Sequence, residues 1–175
     1  TPAEEGGSGK VYMVRAGLFD DVDAVLHWHP SSSNGANAES SNANKSAKFR
    51  FSGVSAHAAG SPHKGRSALD GVEAMNMMVN MMREHIPQES RIHYVITKGG
   101  LAPNVIPDVA EVYYYVRHPR REKVNEIFNW VVKASEGAAI GTETTVTHEV
   151  MHGNYSKLPN QTLQKIMHKN LVSRG

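Results

Sequence analysis

Glu4 and Glu5 stand side by side at the head of a glycine-rich stretch, Glu4-Glu5-Gly6-Gly7-Ser8-Gly9. Two neighbouring carboxylates leave a turn in different directions, so one can bind a cation while the other takes a proton from water as general base. That division suits metal-assisted hydrolysis. The simpler alternative is a solvated pair at a helix N-terminus, where the dipole favours negative charge. Further along, His27 and His29 close an apolar run, Val22 to His29, that stops at Pro30. Ligands in open α/β sheets gather at the carboxyl ends of strands, which places both imidazoles where a site is expected. Residues two apart on a strand share a face, so His27 and His29 compete for one role.

Composition narrows the chemistry further. The chain has 175 residues, 39% of them hydrophobic, enough for one domain or two small ones with a real core. Cysteine is absent, which removes disulfides, thiolate ligands and a thiol nucleophile, and any transition metal must use His, Asp and Glu. Ten histidines keep that open. The net charge of +2 is thinly spread, and Arg120-Arg121 and the stretch from Lys45 to Arg50 are the only basic clusters, so no nucleic-acid role is expected. No apolar run approaches the ~20 residues of a membrane span and no signal sequence leads the chain, so no membrane role and a cytoplasmic location are expected. The chain starts without Met and stops just after a promising amphipathic segment, and it is expected to lack both ends of a longer protein.

The elements that must hold these residues follow from periodicity. Val11, Val14 and Leu18 predict a short helix from about Gly7 to Ala16, and Val22 to His29 reads as a buried parallel strand. Ser31 to Ser46, rich in Ser, Asn, Ala and Gly, marks a linker. Ala47, Phe49 and Phe51 alternate with polar residues as a half-buried strand ending at Gly53. From Ser67, apolar residues at steps of three and four predict an amphipathic helix that Pro87 stops; its methionines, Met75 to Met82, suit core packing or an adaptable interface. Strands follow at Ile92 to Ile96 and Ala110 to Val116, a helix from Pro119 with Val124, Ile127, Phe128 and Val131 on one face, and a strand from Thr144 to Val150. Strand, helix, strand, strand, helix, strand is the split βαβ of an α+β, ferredoxin-like sandwich.

Three ordered segments carry a resemblance: Pro2-Ala3-Glu4-Glu5-Gly6, Gly53 through His57-Ala58-Ala59 to Pro62, and Gly99-Gly100 through Asn104-Val105-Ile106-Pro107. Together they resemble the two-domain metallopeptidases and amidohydrolases that include aminoacylases, hippurate hydrolase and the plant auxin-conjugate hydrolases. The resemblance implies a ferredoxin-like dimerisation domain, residues 38–157, inserted in an α/β catalytic domain represented here by residues 1–37 and 158–175. It implies hydrolysis of the amide of an N-acyl amino acid, with an aminobenzoyl-glutamate as one candidate, at two divalent metal ions, zinc or manganese. By the motif's order Glu4 is the general base and Glu5 the metal ligand. Val22-Asp23-Ala24 matches the family's segment and points to His29, with His27 as the alternative. His57 would donate to the oxyanion of the tetrahedral intermediate, and Asn104 and Arg117 would hold the substrate's carboxylate, a task suited to the rigid Arg fork. A homodimer through the small domain is implied, with a related second subunit as a further partner. The family's upstream His or Cys ligands and its late His have no counterpart here, so this chain alone is expected to be inactive. The competing expectation is a non-catalytic dimerisation or ligand-binding module.

Overall fold

The computed structural model describes Ala3 and residues 6–174. Its centre is a four-stranded antiparallel sheet of β1 (Ala43–Ser52), β2 (Arg91–Lys98), β3 (Val109–His118) and β4 (Thr145–Asn154), in spatial order β2-β3-β1-β4. Two of the four helices, α2 (Ala68–Met82) and α3 (Arg121–Gly141), lie side by side on one face of it. This is the ferredoxin-like sandwich that the order of periodic segments predicts. The remaining helices, α1 (Gly9–Arg15) and α4 (Gln161–Arg174), bury no residue.

Period-two alternation in the strands decides which side chains meet the helices. Ala47, Phe49 and Phe51 of β1 and Ala110, Val112, Tyr114 and Val116 of β3 are fully buried on the helix side. They meet Val72, Met75 and Val79 of α2 and Val124, Ile127, Phe128 and Val131 of α3. Phe49 is central: its ring packs edge-on to Tyr114, at 5.9 Å, and tilted against Phe128, at 6.4 Å. The buried Tyr114 hydroxyl in this layer is satisfied, since it donates to Asn76 Oδ1 at 2.5 Å. Ser67 caps α2 by accepting from Asp70 N–H. Where the spacing predicts α-helix up to Pro87, the chain tightens into a 3-10 turn at Arg83–His85, because the last turn before proline loses its regular donor.

One expectation fails. The segment from Val22 to His29 forms no strand; it has no regular structure, and Trp28 is 83% exposed. A buried parallel strand needs neighbours on its edges and helices over both faces. The only sheet among the described residues is the antiparallel one, and neither of its edges takes this segment. No helix among the described residues is long and apolar enough to cross a membrane.

Candidate functional site

His57 and Asn104 come together at one end of the sheet. After β1, the loop from Gly53 to Arg66 runs against the loop from Gly99 to Asp108, and His57 bridges to Val105. Ala58 N–H donates to the Asn104 carbonyl at 3.0 Å and Ile106 N–H to the Ala56 carbonyl at 3.0 Å. The His57 ring is fixed by its own turn: Nδ1 accepts from Ala59 N–H at 3.2 Å and from Gly60 N–H at 3.0 Å. In the neutral ring the proton therefore sits on Nε2, and the exposed nitrogen is a donor, as an oxyanion partner must be. Beside it the loops wall a cleft of about 570 Å³ lined by Ala58, Pro62, Leu101 and Ile106.

Gly53 sets how closely these loops approach. A Cβ there would lie 2.0 Å from the Arg66 carbonyl oxygen, inside the paired bonds between Val54 and Arg66. Gly53→Ala should displace the His57 loop and shift the His57 ring signals in an NMR spectrum, while Ser52→Ala leaves them in place. Unshifted His57 signals in Gly53→Ala would show that the approach at Gly53 does not position His57.

Arg117 lies at the opposite end of the same sheet. It pairs with Asn44 and Arg91 near the end of β3, while the loop carrying Asn104 enters β3 at Val109. The strand from Val109 to Arg117 spans ~27 Å. One small substrate cannot touch His57, Asn104 and Arg117 of a single chain.

The metal side of the site is only partly visible. Glu4 and Glu5 lie outside the described residues. His27 and His29 are exposed, and His29 Nδ1 lies 2.9 Å from the Pro30 carbonyl, which leaves Nε2 as the lone-pair nitrogen that a ligand role needs. Among the described residues no three His, Asp or Glu side chains come together in a metal-holding group.

The sheet face away from the helices holds a set of residues to which the sequence alone assigns no role. Here His93, Tyr115, Ser46 and His152 form one cross-strand row, next to the row of Arg91, Arg117 and Asn44. His152 escapes a reading by periodicity because strict alternation in β4 would put it on the same face as His148, which stacks on Phe49 at 5.5 Å. An extra residue, Met151, bulges between the Ala47–Val150 and Ser46–His152 pairs and turns His152 to the other side. Farther along this face Glu111 is buried among Lys48, Arg50 and Thr97. Desolvation pushes its carboxyl up, but the Thr97 hydroxyl and the cations Lys48, Arg50 and Lys98 together hold it below its ordinary value.

A family model described as the peptidase dimerisation domain matches residues 40–143 of this chain. The chain belongs to the peptidase dimerisation domain family. Among relatives of this dimerisation domain, one of the subunits of p-aminobenzoyl-glutamate hydrolase from Escherichia coli (strain K12) is 50% identical over 175 residues, covering 99% of this chain and 36% of that protein. Xaa-Arg dipeptidase of Mus musculus is 34% identical over 164 residues, covering 93% and 38%. The chain thus spans well under half the length of these hydrolases. Of solved structures, an aminobenzoyl-glutamate utilization protein from Klebsiella pneumoniae superposes with TM-score 0.65 at 24% identity, covering 87% of this chain and 40% of that one. A hydantoinase/carbamoylase-family amidase from Burkholderia vietnamiensis gives 0.66 at 16%, covering 72% and 31%. Both share the dimerisation domain's fold.

Proposed function

We propose that this chain is part of a metal-dependent amidohydrolase that cleaves N-acyl amino acids, an N-acyl-glutamate such as p-aminobenzoyl-glutamate among them, at a site shared between two subunits. The observation that carries this reading is His57: a ring held by two backbone donors so that its outward nitrogen is an N–H, on a loop whose Ala58 N–H bonds the Asn104 carbonyl of the next loop. Divalent metal, when bound, polarises the carbonyl and acidifies water. Glu5 and His29, or His27, would contribute donors to it. The remaining ligands would come from residues other than these, the chain covering 36% of the length of the Escherichia coli relative. Glu4 would accept the proton of the attacking water and pass it to the leaving amine, His57 would donate to the oxyanion, and Asn104 and Arg117 would hold the substrate's carboxylate. The reading places the protein in the cytoplasm, which the absence of cysteine suits.

Support for the shared site comes from the separation of Arg117 and His57 and from the exposed edge of β2. Tyr94 and Ile96 point to the helix side of that edge yet remain 38% and 40% exposed, because α2 does not cover them. No proline or charged residue interrupts β2 between Arg91 and Lys98. The other edge, β4, is broken nearer its middle by the Met151 bulge and carries Glu149, whereas the irregularity of β2 falls at Thr97 near its end. Pairing β2 antiparallel with β2 of a second copy sets Lys98 of one subunit near Arg91 of the other. The loop bearing Asn104 and His57 then approaches the partner's arginine row. A related second subunit with the same edge would serve equally.

Glu4 and Glu5 separate catalysis from metal binding. Glu4→Gln in the full-length enzyme should keep metal content near normal and lower kcat by roughly 10² to 10⁴, whereas Glu5→Gln should lose metal. Metal analysis giving the reverse pattern would exchange the two assignments. Full activity of both variants would remove Glu4 and Glu5 from the catalytic site and leave this segment with a dimerisation role alone.

A further inference from the structure

The strip on the helix-free face of the sheet is built for an anion, and the roles assigned above use only one of its residues. Arg91 and Arg117 face each other directly across β2 and β3. Like charges in that position destabilise a sheet unless something offsets them. Among the described residues no carboxylate pairs with either one: the ion pairs involve Lys48, Arg50, Arg66, Arg121 and Lys123. Arg91 donates only to the carbonyls of Gln88 and Ser90, each at 2.7 Å, and Arg117 rests over the Tyr115 ring at 5.3 Å. His93 is held below its ordinary value by partial desolvation and then by Arg117, Arg83 and Arg91.

The next row supplies uncharged donors. Tyr115 Oη and His152 Nε2 are 2.5 Å apart, and His152 Nδ1 is buried with no partner among the described residues. A buried N–H without an acceptor costs more than a bare lone pair. The proton therefore belongs on Nε2, which donates to the Tyr115 oxygen and leaves the Tyr115 O–H for a ligand or for the neighbouring Tyr113 hydroxyl. Burial and the Tyr113 hydroxyl push the Tyr115 phenol up to about 12, so that proton stays in place at neutral pH. His93, exposed on the other side of Tyr115, adds an N–H.

We propose that Tyr115, with His93 beside it and His152 positioning it, forms a second carboxylate subsite next to Arg117, making the enzyme selective for N-acyl derivatives of a dicarboxylic amino acid. The inference rests on the reading above that Arg117 takes the substrate's first carboxylate. Rows two residues apart lie ~6.8 Å apart along a strand, a spacing that long side chains bridge to the two carboxylates of an aspartate or glutamate. Tyr115 and His93 discriminate because a neutral isostere offers weaker acceptors to the same donors and leaves the local positive field uncompensated.

The test uses the full-length, metal-loaded enzyme and two ligands without a scissile amide, N-benzyl-glutamate and N-benzyl-glutamine, with binding measured by calorimetry. The wild type should prefer the glutamate ligand roughly ten- to hundredfold. Tyr115→Phe should remove most of that preference by weakening the glutamate ligand alone. His152→Phe should do the same through loss of the bond that turns Tyr115 outward, an effect on selectivity that general damage would not produce. Equal affinity of the wild type for both ligands, or an equal loss for both in Tyr115→Phe, would overturn the subsite. Arg117→Ala should weaken both ligands alike. If it weakens neither while Tyr115→Phe still acts selectively, the assignment of Arg117 falls and the subsite stands. Absence of hydrolysis of N-benzoyl-glutamate would count against the enzyme reading without touching this contrast.

Discussion

Mixing His57→Ala and Arg117→Ala forms of the full-length enzyme, each severely impaired alone, should restore about one quarter of wild-type activity after subunit exchange. In a two-fold dimer whose sites each take Arg117 from one subunit and His57 from the other, a mixed dimer has one site with both defects and one with neither. Random equal mixing makes half the dimers mixed, each with one working site of two. Removing an oxyanion donor costs roughly 10² to 10³ in kcat, so the restored activity stands far above either parent. The expectation comes from the ~27 Å of β3 between the Asn104 end of the sheet and Arg117. If verified heterodimers stay as inactive as their parents, His57 and Arg117 do not meet across subunits and the shared site is wrong.

Phe49→Ala should destabilise this chain by about 3–5 kcal/mol, among the largest costs a single core truncation brings. Phe49 is fully buried, contacts Tyr114, Phe128 and His148, and lies on a central strand, so neighbours from α3 and two strands would have to collapse to fill the space. Urea titration followed by circular dichroism gives the number. Tyr113→Ala, on the helix-free face, serves as the contrast and should cost much less. A loss under about 1 kcal/mol at Phe49 would mean that the sandwich is not organised around that ring.

The sandwich is readable because its signals are local. Ala47, Phe49 and Phe51, like Ala110 to Val116, alternate strictly, and the helix faces of Val72, Met75 and Val79 and of Val124, Ile127 and Val131 repeat at three and four; the same residues form the core. Val22 to His29 fails for the complementary reason. An apolar run states that it wants burial but not against what, and the described residues offer it no neighbouring strand. At the candidate site, motif order brings out His57 and Asn104, and the structure zips their loops together. Motif order does not show that Arg117, thirteen residues beyond Asn104, stands at the far end of a straight strand. His152 is hidden by a single extra residue, since a bulge changes face without changing composition.

The free edge of β2 has a consequence for how activity depends on amount. If neither polypeptide holds a complete site, a newly made chain is inert until it meets its partner, and turnover belongs to the pair. On dilution below the dissociation constant of the pair, specific activity should fall in proportion to concentration, so total rate rises with the square of the protein present. Tyr94 and Ile96, side chains that look like loose ends of a small hydrophobic core, would then set the concentration at which the enzyme switches on.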